Sequence, residues 1–335
     1  MDIFPSLGAT HTPNVCYTDY AAERSWKSVV EEASEQQPLR LSVIVLAYEM
    51  TREIPRTLCS LSRTYQEGAA DLDYEVLLID NGSPVPLDPA TWAHIDVPVQ
   101  TLRIEEAHPS PAQALNFAAS QAQGEWLCIM IDGAHLLTPG VFRLALAAGG
   151  AFTDAAIAVR YFFLGPDEQN VSIQNGYCQS VEDQLLNSIH WPDEGYRLFE
   201  VGTPFRAGAD SANWLHKMFE SNCLFIPHHT FQEIGGAEEQ FDLPGGGFLN
   251  LDLYKRACDR EGVTPVQLIG EGSFHQIHGG TTTNVPMQIR QERSAHYREQ
   301  YWKIRGHDRY TTEKSVFYFG HMPTERSRIH RYHKG

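Results

Sequence analysis

The chain is poor in cysteine and poor in positive charge. Its six cysteines (Cys16, Cys59, Cys128, Cys178, Cys223 and Cys258) are scattered over 335 residues with no CxxC pair. That spacing supports neither a zinc ribbon nor a disulfide framework. Cys59 and Cys128 lie in apolar segments and read as core thiols. The formal net charge is −16, which argues against nucleic acid as a partner, because phosphate binding is driven by basic surface. No apolar run approaches membrane-spanning length. The N-terminus shows no basic stretch followed by an apolar core, so a cytoplasmic protein without a transmembrane segment is expected. There is no internal repeat and no low-complexity tract. The turn after the first apolar run, Ala47-Tyr48-Glu49, lacks the glycines that let a dinucleotide's pyrophosphate approach, which excludes a dinucleotide-dependent oxidoreductase.

What the chain does have is a set of short apolar runs that stop abruptly. Leu41–Leu46 ends at Ala47, Tyr48 and Glu49. Val76–Ile79 ends in Asp80-Asn81-Gly82-Ser83, and Leu127–Ile131 ends in Asp132-Gly133. Runs of this length read as strands buried on both faces. In open α/β sheets, ligands bind at the carboxyl ends of the strands, so three runs ending in polar turns suggest one site. Helical patterns alternate with them. One begins near Pro55, with Ile54, Leu58, Leu61 and Tyr65 on one face. A second follows Ser110 and Gln113, which can form a capping box around Pro111. A third starts at Pro139-Gly140. The first 150 residues therefore read as a doubly wound half.

Residues 151–247 are turn-rich and aromatic, and Gly245-Gly246-Gly247 precedes a helix at Leu249–Arg260. Residues 1–38 read as an N-terminal arm with one helix around Ala21–Ala33. Residues 291–335 hold ten Lys/Arg against five Asp/Glu, a net of +5, which leaves −21 for the rest. They read as a basic extension of one large domain spanning 39–290.

Several of these segments together resemble family 2 glycosyltransferases with the GT-A fold. They are Ser42–Tyr48, Leu58-Cys59-Ser60-Leu61, Glu75–Ser83, Asn116, Ala122–Trp126 and Asp132…Pro139-Gly140. Ile234-Gly235-Gly236, Asp252-Leu253…Arg256 and His278-Gly279-Gly280 continue the match, which covers roughly residues 40–285. The resemblance implies a Rossmann-like mixed α/β sheet flanked by helices. It also implies transfer of a sugar from a nucleotide diphosphate sugar to a saccharide or other hydroxyl-bearing acceptor. Ala47, Tyr48, Glu49, Asp80, Asn116, Asp132 and Gly133 would line the donor. Asp80 has a second reading as the turn residue of Asp-Asn-Gly-Ser.

Two positions depart from the family pattern. The usual Asp-x-Asp is Asp132-Gly133-Ala134 here, and alanine cannot ligate a metal. His135 stands one position later, either as a ligand or as a turn histidine, and His278 matches a position that commonly contacts metal or phosphate. The resemblance thus implies a divalent ion, Mn or Mg, on Asp132, His135 and His278, with imidazole suiting Mn better than Mg. His275, three residues before His278, is expected to face the opposite way and pack. Backbone N–H groups of Gly279–Thr283 offer a phosphate nest. In the second departure Asn250, a good helix N-cap residue, takes the place of the general base. Asp252 is the nearest carboxylate and the first candidate base, or else a first-turn Asp favoured by the helix dipole. Glu220, Asp242 and Glu271 stand in reserve. Trp214, Glu220 and Asn222 are candidates for acceptor binding. The basic residues Arg298, Lys303, Arg305 and Arg309 either cover the diphosphate or form a solvated helix. A non-catalytic nucleotide-sugar or glycan-binding protein remains the alternative, and turnover separates the two.

Overall fold

The first strand, β1 (Leu41–Ala47), is buried along its whole length. Its side chains alternate between two cores. Val43 and Val45 enter one apolar cluster with Ile54, Leu58 and Phe142. Ile44 and Leu46 enter another with Leu115, Leu249, Leu253 and Tyr254. A strand that feeds both faces must be central, which is why this segment is apolar at every position except Ser42. Each fully buried Leu, Ile or Val there contributes roughly 1.5–3 kcal/mol relative to exposure.

The computed structural model describes residues 40–206 and 213–322. The expected N-terminal arm and its helix lie outside the described residues. Within them the strands are β2 (Tyr74–Asp80), β3 (Val99–Arg103), β4 (Trp126–Met130), β5 (His135–Leu137), β6 (Ala155–Leu164), β7 (Gly202–Pro204), β8 (Leu224–Pro227), β9 (Thr264–His275) and β10 (Phe317–Gly320). They form one mixed sheet of order β10-β9-β6-β8-β4-β1-β2-β3, with β5 paired to β9 and β7 to β6. Strands β1, β2, β3 and β4 run parallel, β8 is antiparallel to β4 and β6, and β9 is parallel to β6. The long helices are α1 (Glu53–Ser60), α2 (Ala112–Gln121), α3 (Val141–Ala151), α4 (Gln179–Ser188), α5 (Leu249–Asp259) and α6 (Met287–Arg305). Helices α1 and α3 cover one face, α2 and α5 the other.

This is the single mixed α/β architecture that the family resemblance implies, and its first half alternates strand and helix as the apolar runs suggest. Some local expectations differ. Ser110 accepts from the Ala112 N–H across a tight turn, and α2 starts without a side-chain cap, so no capping box forms. The turn-rich middle contains β6, a fully buried ten-residue strand. The basic segment contributes α6, which buries Tyr297 and Tyr301, and the edge strand β10.

The topology decides where side chains meet. Strands β4, β6 and β9 point the same way, so the residues just after β4 and at the end of β9 share one edge of the sheet. Because β8 runs the other way, the residues just before it reach that same edge. This brings Asp132, His275 and the Glu220–Asn222 approach to β8 onto one rim.

Candidate active site

Gly133 sets the position of Asp132. Its N–H donates to Leu46 O at 2.8 Å, and its carbonyl accepts from Thr57 Oγ1 at 2.6 Å. A Cβ at this position would sit 2.5 Å from Leu46 O, so the close approach of β4 to β1 admits only glycine. Asp132 Oδ1 then accepts from the Ala134 N–H at 3.0 Å, which leaves Oδ2 facing the rim.

Two histidines meet that oxygen. His275 Nε2 lies 3.1 Å from Asp132 Oδ2, His278 Nε2 lies 3.2 Å from it, and the two nitrogens are 3.1 Å apart. His275 therefore does not face away, as strand alternation suggested. Strand β9 stops at residue 275, so the two-residue period no longer governs His278, and the chain turns to bring both rings to one carboxylate. Gln276 between them is buried on the other side, donating to Thr57 and to Glu53 O.

The hydrogen bonds around His275 fix its tautomer. Gln169 donates its amide to His275 O at 2.9 Å, and its Oε1 accepts from Asn284 Nδ2 at 2.8 Å. The same oxygen therefore takes the proton of His275 Nδ1, 2.7 Å away. Nε2 of the neutral ring is then a lone pair aimed at a carboxylate oxygen. Two acceptors at 3.1 Å need a shared donor or cation, which is either the N–H of His278 Nε2, 3.1 and 3.2 Å from them, or a bound ion. Burial pulls His275 below its ordinary pKa despite Asp132 beside it, which disfavours a proton in that role. For His278 burial also pulls downward, but Asp132 outweighs it and the ring is raised. Burial would raise the Asp132 carboxyl, yet His278 and His275 hold it well below the usual carboxylate range.

The donor set fits a metal ion. Separations of 3.1–3.2 Å match the ~3.0–3.4 Å between neighbouring ligands held about 2.1 Å from one ion. His135 stands behind the group. Its Nδ1 is 2.8 Å from Ser273 Oγ, and its buried Nε2 has no hydrogen-bond partner among the described residues. Burial, with His275 alongside, pushes its pKa down to about 3, which keeps the ring neutral and ligand-ready. Asp132, His135 and His275 place ligand atoms within 4.8 Å of one another.

The N–H groups of His278, Gly279 and Gly280 converge on Asn284 Oδ1 at 3.1, 2.8 and 2.9 Å. Gly279 and Gly280 of the expected phosphate cradle are thereby engaged, and the loop is tied through Asn284 and Gln169 to His275.

Asp252 is placed unlike a base. Its carboxylate, in a residue only 1 % exposed, accepts from Arg256 Nε at 2.7 Å and from Arg305 Nε and Nη2 at 2.6 and 2.8 Å. Both oxygens are occupied by guanidinium groups, so an acceptor hydroxyl cannot reach them. Asn116 belongs to the same neighbourhood. Its amide bonds to both backbone groups of Ala237 and to Glu239, clamping a turn beside Arg256 and Arg305. No hydrogen bond or ion pair links Asn116 or Asp252 to Asp132 or the histidines among the described residues. Arg305 is spent on Asp252 and Glu238, so it does not cover a diphosphate. Of the reserves, Asp242 accepts from Gln300, and Glu271 accepts from Thr138 and the Gly140 N–H.

Glu220 has the environment that Asp252 lacks. Part-buried beside β8, it accepts from Asn250 Nδ2 at 3.1 Å, and the same amide reaches Asn222 Oδ1 at 3.1 Å. Asn250 is thus a residue of the first turn of α5, not its N-cap. Burial pushes the Glu220 carboxyl up to about 7, partly offset by the Asn250 hydrogen bond and by Arg290. Glu220 and Asp132 both act electrostatically on Tyr161, whose ring lies 5.1 Å from that of His135 and 5.9 Å from that of His275.

The other expected residues fall as follows. Asp80 Oδ1 accepts from the Ser83 N–H and Oδ2 from Arg103 at 2.5 Å, so its carboxylate ties the turn after β2 to β3. Ala47 is buried, while Tyr48 is half exposed at the end of β1. Glu49 adopts a φ of 53° and donates its N–H to Ser83 Oγ. Trp214 corrects an expectation: its indole packs on Phe162 and Phe199 and is closed to sugar stacking.

A mixed sheet with helices on both faces, carrying a carboxylate–histidine group and a part-buried carboxyl on its carboxyl-end rim, is a GT-A glycosyltransferase architecture. The chain matches the model of Glycosyl transferase family 2 over residues 42–212, just over half its length, and it belongs to that family. Among solved structures it is similar to S. aureus TarS 1-349 in complex with UDP, at 11% identity over 79% of this chain and 72% of that one, with a TM-score of 0.44. It is also similar to the mannosyltransferase PcManGT from Pyrobaculum calidifontis in complex with GDP-Man and Mn2+, at 18% identity over 68% and 59%, with a TM-score of 0.40. No curated protein matches. No helix among the described residues is long and apolar enough to cross a membrane.

Proposed function

We propose that the protein transfers a hexosyl or related group from a nucleotide diphosphate sugar to a hydroxyl of a saccharide or similar acceptor, with inversion. The donor lies along the carboxyl-end rim, its nucleoside against Ala47, Tyr48 and Glu49 and its diphosphate toward Asp132. Asp132, His275 and His278, with His135 behind, would hold a divalent ion, and imidazole donors favour Mn over Mg. When bound, that ion neutralises charge developing on the departing diphosphate.

Glu220 is the base. It takes the proton of the acceptor hydroxyl as that oxygen attacks the anomeric carbon and the bond to the nucleoside diphosphate breaks. A carboxyl poised near neutrality suits this work, because it is both ionised in a useful fraction and basic enough to accept the proton. Asn250 holds it in place. The observation that carries the reading is the convergence of the Asp132–His275–His278 group and the Asn250-held Glu220 on one rim, with Tyr161 between them. It also accounts for both departures from the family pattern: histidines replace the carboxylate missing at Ala134, and Glu220 replaces the base missing at Asn250.

A thermal-shift panel of UDP, GDP, CDP and TDP, each with Mn, Mg or EDTA, tests the donor side. A ligand bound only by the native state must raise the melting temperature. One nucleotide stabilising only with metal supports the proposal. No shift with any nucleotide rejects it, and binding without turnover would leave a nucleotide-sugar-binding protein.

A further inference from the structure

Beside Glu220 opens a cavity of about 320 Å³ whose walls include Arg160, Tyr161, Arg206, Lys217 and Phe219. Tyr161 is a shared wall, since its other neighbours include the His135 and His275 rings. The volume is at the low end of the roughly 300–1,000 Å³ of ordinary small-ligand sites. This is the space from which an acceptor can reach Glu220.

The cavity's charge is unusual. Arg160 is only 4 % exposed, and no carboxylate among the described residues pairs with it. One Nη donates to the carbonyls of Trp214, at 3.2 Å, and His216. Its Nε is buried with no partner among the described residues. Burial lowers its pKa to about 10, so the group stays charged at neutral pH. A buried guanidinium without a counter-ion is costly, and such charges are normally paired. The cavity's own carboxylate, Glu220, is bonded to Asn250 instead. Arg206 is paired with Asp167 at 2.6 Å, and Lys217 donates to the carbonyls of Thr312 and Lys314. Among the described residues, Arg160 is thus the buried cation of this cavity with no carboxylate beside it. Its planar fork suits a carboxylate or a phosphate.

We infer that the acceptor carries an anionic group, a carboxylate or a phosphate, which Arg160 receives in this cavity while Glu220 meets the acceptor hydroxyl. The inference deepens the transferase reading and rests on its acceptor side. Charge complementarity of this kind selects among acceptors, because a neutral sugar leaves Arg160 buried and unpaired.

Calorimetric titration of the full chain with D-glucose, D-glucuronate and D-glucose 6-phosphate at constant ionic strength tests it. Binding of at least one anion about tenfold or more tighter than glucose is expected, and the tighter of the two tells carboxylate from phosphate. Arg160→Gln is expected to remove that preference, with circular dichroism reporting the fold. Should Arg160→Gln not fold, His216→Glu at an exposed position lining the same cavity places a carboxylate there and is expected to cut the preference several-fold. Equal binding of the three sugars, no binding of any, or a preference that survives these variants would overturn the inference. Binding of UDP and GDP to the wild type is followed in parallel. Its absence would remove the donor reading and leave the anion result standing, so the two failures are distinguishable.

Discussion

Asn250 donates its side-chain amide to Glu220 Oε2 across 3.1 Å, and the same amide reaches Asn222 Oδ1. The residue that replaces the family's base therefore positions another carboxylate rather than acting itself. Its hydrogen bond favours the ionised form of Glu220, opposing the burial that raises the carboxyl to about 7. Asn250→Ala is expected to raise the Glu220 pKa further. The acid limb of the kcat/KM profile then moves to higher pH while the plateau above it falls several-fold. A profile unmoved by the substitution would separate Asn250 from the ionisation that governs turnover.

Glu220 also makes stability depend on pH. Its folded pKa of about 7 stands above the ordinary 4.5, so the folded state binds the proton more tightly than the unfolded chain. Stability then falls as pH rises from about 4.5 to about 7 and levels off above. Glu220→Gln removes that slope and keeps an acceptor oxygen for Asn250. The variant is expected to melt higher than wild type at pH 8 and close to it at pH 5. Glu182, also raised to about 7 by burial, contributes equally to both proteins and cancels in the comparison. Parallel melting curves against pH would contradict the assignment.

The histidine group makes a metal prediction with two tiers. Asp132→Asn or His275→Ala is expected to abolish Mn binding by calorimetry. Gln169→Ala, which frees the His275 Nδ1 proton without touching a ligand, is expected to cost about 10–100-fold in affinity. If Mn binding is indifferent to Asp132 and His275, the ion is held elsewhere.

Asp252 separates structure from catalysis. Breaking a buried ion pair by removing one partner costs roughly 3–5 kcal/mol, and Asp252 is the shared partner of Arg256 and Arg305. Asp252→Asn is expected to lower the melting temperature by many degrees. At temperatures where it stays folded, its kcat should remain within a few-fold of wild type. Normal stability with lost turnover would restore Asp252 as the base.

How much of this was legible in the chain follows from what each segment's neighbours are. Strands β1, β2 and β4 are read from short apolar runs because both faces are buried, and Gly133 after Asp132 marks the tight junction below the site. Strand β6 is largely apolar, but its flanks are turn-rich and its partners β7, β8 and β9 lie well beyond its neighbours in sequence, so nothing local announces it. Strand alternation, which turns His275 away from the site, is sound inside a strand and fails at its end. Proximity to Asn250 favours Asp252 as the base, whereas its neighbours in the fold include Arg305, 53 residues on. Glu220 and Arg160 carry no motif. Only the antiparallel run of β8 beside β6 brings the Glu220–Asn222 approach to the rim next to Tyr161.

The most direct measurement is release of free nucleoside diphosphate from a donor and acceptor pair, compared between wild type, Glu220→Gln and folded Asp252→Asn. A positioned base contributes about 10²–10⁴-fold. The expected result is a loss of that order in kcat for Glu220→Gln, with donor binding retained and Asp252→Asn near wild type. Full turnover by Glu220→Gln would contradict the assignment of Glu220 as the base.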